Sequence, residues 1–175
     1  QTLILEDADV QFRPRRQPLE IAPETYLIAV TRIETVKQQH KRPKLSGEQL
    51  KKIVSLVEKT LNLPGVRGVQ IDFDAAVSER EFYRRLIVDL RQKIPENASL
   101  TMTSLASWCA GDTWFADFPV DEAVPMAFRM GADNDRIRSY LSGGGDWNNA
   151  LCLGSYGVSI DEPLKINFKE GRRFY

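Results

Sequence analysis

Histidine is almost absent from this chain: His40 is the only one in 175 residues. A Ser-His-Asp triad needs an imidazole base held by an acid, and His40 sits alone in the basic segment 38–44, where it reads as a solvated surface residue. Cysteine is nearly as scarce. Cys109 and Cys152 lack metal-ligand spacing and are expected to be two buried free thiols. No apolar run approaches the roughly 18 residues of a membrane span. Neither sign of charge is in excess, with 24 Lys and Arg against 24 Asp and Glu, which removes the electrostatic case for nucleic acid or an anionic membrane surface. The glycine run 143–145 continues as Asp-Trp rather than Gly-Lys-Ser/Thr, so it is not a phosphate loop. With these chemistries set aside, carboxylates and tryptophans are left.

The carboxylates concentrate first in 68–74, Gly-Val-Gln-Ile-Asp-Phe-Asp. Val69, Ile71 and Phe73 alternate with Gln70, Asp72 and Asp74, the period of a strand with one apolar and one polar face. Two carboxylates adjacent on one face repel and are costly to desolvate. They are best tolerated where the strand opens into a cleft, and there they serve to hold a proton, a cation or a positively charged transition state. The plainer alternative is an edge strand with a solvated acidic face.

Along the chain, apolar runs bounded by polar residues predict strands over 2–5, 26–32, 69–74, 100–105, 124–129 and 158–160, with a seventh in 166–168. Residues 11–24, with their prolines and arginines, read as a loop. Ser46 and Gln49 form a capping box before the stripe Leu50, Ile53, Val54, Val57 and Leu61. Ser78 and Glu81 suggest a second box before Phe82, Tyr83, Leu86, Ile87 and Leu90, and Pro95 stops that helix. A short helix is expected over 133–141. Alternating strands and helices argue for a parallel α/β sheet. The count favours one domain, a (β/α)-barrel of the TIM type lacking its first strand-helix unit, with a doubly wound sheet as the alternative. The chain opens on Gln1 without methionine, directly into an apolar stretch. It is therefore expected to be a piece of a longer chain, extracytoplasmic if a signal peptide precedes it.

In such folds reactive groups gather at the carboxyl ends of strands. There the sequence places Glu6 and Asp7, Arg32 and Glu34, Asp72 and Asp74, Trp108, Arg129, and Asp161 and Glu162. By analogy with barrel glycosidases, Asp72, Asp74 and Glu162 are the candidate catalytic residues, with Asp74 and Glu162 the working pair. Two carboxyls about 5 Å apart suit a retaining mechanism and about 6.5–9.5 Å an inverting one. Trp108, Arg129 and Asp161 are the candidate ligand contacts, Arg129 as charge partner of the acids. A Mg²⁺ or Ca²⁺ on Asp72, Asp74 and Asp161 ranks below this reading, so no metal or cofactor is assigned.

The segments VQIDFDA (69–75), LASWC (105–109), VDEAVPM (120–126), FRMG (128–131) and GVSIDEP (157–163) resemble the DUF3142 family of uncharacterised bacterial proteins. The resemblance runs from about Leu27 onward, and implies a glycosidase-related barrel and a bacterial source. Asp72 and Asp74 are also similar to the tail of the family 18 chitinase signature. Position 76, where that signature ends in its acid glutamate, is alanine, so the substrate-assisted step of that family is not implied. The expectation is a glycan-active, glycoside hydrolase-like domain acting on a carbohydrate or another small molecule. The alternative is a non-catalytic carbohydrate-binding barrel.

Overall fold

The structure, a computed structural model, describes residues 1–112, 114–163 and 165–175. The chain divides into two compact units, Gln1–Thr101 and Met102–Tyr175.

The first unit begins with a hairpin. β1 (Thr2–Glu6) pairs antiparallel with β2 (Asp9–Arg13) across a two-residue turn, where Asp7 takes φ 46°, a left-handed conformation that Asp tolerates. β1 also runs parallel to β3 (Leu27–Thr35), and β3 runs parallel to β4 (Val66–Asp72). Helix α1 (Gly47–Glu58) links β3 to β4, and α2 (Arg80–Lys93) links β4 to β5 (Ser99–Leu105). Both crossovers advance in the same direction along the sheet. Right-handed crossovers of one direction place their helices on one face, and α1 and α2 do pack together. Leu3, Leu5, Thr31, Ile33, Val69 and Ile71 supply the buried face of these strands, and Leu50, Ile53, Val57, Phe82, Leu86 and Leu90 the apolar stripes of the two helices. Pairing Arg32 with Asp72, and Ile4 with Glu34, puts polar groups on the opposite face.

The Ser46–Gln49 capping box forms in both directions, at 3.2 and 3.1 Å. The box expected at Ser78 does not. A 3-10 turn, Val77–Glu79, precedes α2, and Glu79 reaches back to accept the N–H of Ala76 at 2.7 Å. Glycine is required at position 68, since a Cβ there would stand 2.8 Å from the Ser99 carbonyl oxygen.

The barrel is corrected here. The strands make one open, mostly parallel sheet in the order β2-β1-β3-β4-β5-β6, with β6 spanning Glu122–Met126, and four short α-helices occur among the described residues. A barrel of this kind needs eight strand-helix units. Two local readings differ. Residues 11–13, read as loop, belong to the antiparallel edge strand β2, which adds a strand but no strand-helix unit. The segments 158–160 and 166–168, read as strands, do not form them. The strand order runs without reversal, so the switch point of a doubly wound sheet is also missing.

The second unit holds α3 (Ala106–Ala110), α4 (Asn134–Ser142) and a small parallel pair, β7 (Ser155–Tyr156) with β8 (Arg173–Phe174). Cys109 and Cys152 are joined by a disulfide, where the spacing had suggested free thiols. Trp108, Trp114, Phe115 and Phe118 form a cluster of edge-on and tilted rings. Asp146 and Arg172 form a two-pronged ion pair, the guanidinium also lying 5.1 Å from the centre of the Tyr156 ring.

A carboxylate cleft at the ends of two parallel strands

β3 and β4 end side by side, and a cleft of about 260 Å³ opens at their carboxyl ends. Its walls carry Arg32, Glu34 and Lys37 from β3 and the residues after it, and Asp72 and Asp74 from the end of β4. The alternation read in 69–74 places them. Ile71 and Phe73 are buried, and the Phe73 ring packs 5.1 Å from Tyr83 of α2. Their polar neighbours Asp72 and Asp74 line the opening. β4 ends at Asp72, and the Ala75 N–H then donates to Phe73 O at 2.8 Å, closing a three-residue turn centred on Asp74. Such turns are common at strand ends, and this one projects Asp74 at the mouth.

Arg32 lies opposite Asp72 in the parallel register. Its guanidinium forks: Nε donates to Glu34 Oε1 at 2.9 Å and Nη1 to Asp72 Oδ2 at 3.1 Å. Lys37 Nζ donates to Thr35 Oγ1 at 2.7 Å and more weakly to Glu79 Oε1 at 3.4 Å. Glu79 thus joins the cap of the Ala76 turn to the rim of the cleft.

The electrostatics divide the two aspartates. Partial burial, which strips water from the charged form, and then the neighbouring Asp72 charge raise the Asp74 carboxyl above the ordinary aspartate value, while Arg32 opposes the rise. Beneath them, Tyr83 is fully buried and its phenol is pushed well above its usual value, first by burial and then by the Asp72 and Asp74 charges. It stays neutral, with its hydroxyl 3.5 Å from Ile71 O.

The other sequence-derived residues belong to the second unit. Trp108 is buried, packed against Trp114 and Phe115, and offers no exposed ring face of the kind a sugar platform needs. Arg129 has φ 50°, and its backbone N–H, rather than its guanidinium, makes the recorded contact, donating to Glu162 Oε2 at 2.9 Å. Glu162 lies 3.8 Å from Arg138 Nη2 as well. Its carboxylate is therefore engaged in fastening a strained turn. Asp161 is exposed, with its N–H on Ser159 Oγ. Arg32 is a charge partner of Asp72, the role the sequence reading gave to Arg129. Arg32 had been noted only as a polar strand end. Its signal was the in-register alignment of two strands whose ends both turn polar.

Fold and site together define a class: an α/β protein with a mixed-charge carboxylate cleft at the carboxyl ends of neighbouring parallel strands. No cluster of three or more His, Cys, Asp or Glu is arranged to hold a metal ion among the described residues. No family model, curated protein or solved structure matches the chain.

Proposed function

We propose that the chain is a glycan-active domain with glycoside hydrolase-like chemistry, working through the cleft at Asp72 and Asp74. The supporting observation is the division between them: Asp74 has its proton affinity raised, while Asp72 is ion-paired to Arg32. Glycosidic cleavage calls for one carboxyl that delivers a proton to the leaving oxygen and one that remains anionic. Asp74 at the mouth is the proton donor. Asp72 supplies the negative charge facing the oxocarbenium-like transition state. Glu34, which also lines the cleft, is the further carboxyl available to a water or to the sugar. Glu162, the partner expected from the sequence, keeps its carboxylate on Arg129 in this reading and is a structural residue. The resemblance to the DUF3142 family belongs to the same proposal.

A second reading, a carbohydrate-binding module without turnover, is favoured by Ala76 at the position of the chitinase acid and by a cleft about the size of one sugar ring. Wild type, Asp74→Asn and Asp72→Asn are to be assayed on a panel of polysaccharides and aryl glycosides, with binding followed by affinity electrophoresis. The hydrolase reading expects turnover in wild type and a loss of about 10²–10⁴-fold in Asp74→Asn, the usual worth of a positioned acid. Binding without turnover in wild type, unchanged by both substitutions, establishes the module instead.

A further inference from the structure

We propose that Arg32 is the positioning residue of this cleft: clamped between Glu34 and Asp72, its guanidinium fixes the Asp72 carboxylate beside Asp74 at the cleft mouth. The inference rests on the glycan reading for its catalytic consequence, but not for its geometry. The guanidinium is planar and presents its donors in a fixed fork, so two simultaneous contacts define an orientation that a single ammonium donor does not. Both contacts are made at hydrogen-bond length, at 2.9 Å to Glu34 and 3.1 Å to Asp72. The strand register holds the Arg32 and Asp72 backbones opposite each other, so the contact is built into the sheet rather than made by chance between loops. The charged and titratable groups around Asp74 include Arg32 and Glu34 from β3, Lys37 after it, Asp72 from β4, and Glu79 and Tyr83 from the turn and helix that follow. Lys37 is exposed and turned toward Thr35 and Glu79. Arg32 bonds directly to Asp72, and its charge lowers the proton affinity of Asp74.

An exposed arginine can also be a mere surface ion pair that adds little to stability. The two roles separate in Arg32→Gln and Arg32→Lys, with Arg32→Met held ready if Arg32→Gln does not fold. The readout that needs no substrate is the Asp74 carboxyl ¹³C titration. A positioning fork predicts that its midpoint rises in Arg32→Gln and is only partly restored in Arg32→Lys, which keeps the charge but not the two-point contact. With a responsive glycoside in hand, kcat falls by about 10²-fold in Arg32→Gln with KM little changed, as displaced catalytic groups give, and Arg32→Lys restores part of it. The alkaline limb of the pH profile moves up together with the titration midpoint. An unmoved Asp74 midpoint in a folded Arg32→Gln overturns the proposal. Wild type without turnover on any glycan, but with the midpoint shift intact, removes the glycan reading and leaves the assignment of Arg32 standing.

Discussion

At Asp74, partial burial and the Asp72 charge act in one direction and Arg32 in the other. The sign for stability follows from linkage. A carboxyl raised above its unfolded value adds stability that is fully present below the unfolded pKa and is lost as pH rises through the folded one. Asp74→Asn, neutral at every pH, should therefore match wild type in acid and become the more stable protein toward neutrality. The side chain is solvent-exposed, which screens the effect and keeps the gain small. Urea midpoints of the two proteins between pH 3 and 7 check this, and a constant difference across that range counts against the raised proton affinity. The aspartate pair was legible in the sequence because strand alternation is local: 69–74 carries it alone. The Arg32 contact was not, because it depends on which strands become neighbours and in what register. The expected position of Glu162 rested on a strand reading of the same kind. It was placed at the end of a strand over 158–160 that does not form, and Ile160 there is almost fully exposed.

Among the elements, those with strong local signals formed as read. The Ser46 cap closes on Gln49, the stripe from Leu50 to Val57 is buried, and β5 covers Ser99–Leu105. Ser46→Ala should cost about 1 kcal/mol, read as a shift of the urea midpoint with unchanged slope. The second helix shows the limit of such signals. Both Ser78 and Glu79 stand before it, but the acceptor that caps the turn is Glu79, because the chain enters from the Asp74 turn and presents the Ala76 N–H to it. β2 was missed because Pro14 and the arginines around it read as loop, whereas the hairpin at Asp7 carries the strand as far as Arg13. Gly68 marks where β4 comes closest to Ser99. Gly68→Ala should destabilise by about 1–3 kcal/mol, the usual cost of overpacking. Thermal unfolding measures it, and a neutral result would show that the two strands can part without cost.

For the whole chain, the barrel expectation failed through an addition of local strand readings. Each run of apolar residues was counted as one parallel strand, but 158–160 and 166–168 form none, and the strand gained at the sheet edge is antiparallel. No helix among the described residues is long and apolar enough to cross a membrane. The second unit is tied by the Cys109–Cys152 disulfide across 43 residues, a closure worth about 4 kcal/mol in the chain-entropy account. Both sulfurs are buried, so mild reductant should leave the native protein bonded. Cys152→Ala should lose amide protection in α3 and α4 while β1, β3 and β4 keep theirs, read by hydrogen exchange. Equal loss in both units would show that they unfold as one.

The central claim is that the cleft raises the proton affinity of the Asp74 carboxyl. The most direct measurement is a ¹³C-detected titration of the Asp74 side chain in wild type and in Asp72→Asn. The predicted result is a midpoint above the ordinary aspartate range in wild type that moves down when the Asp72 charge is removed. A wild-type midpoint at or below that range, unchanged in Asp72→Asn, would contradict it.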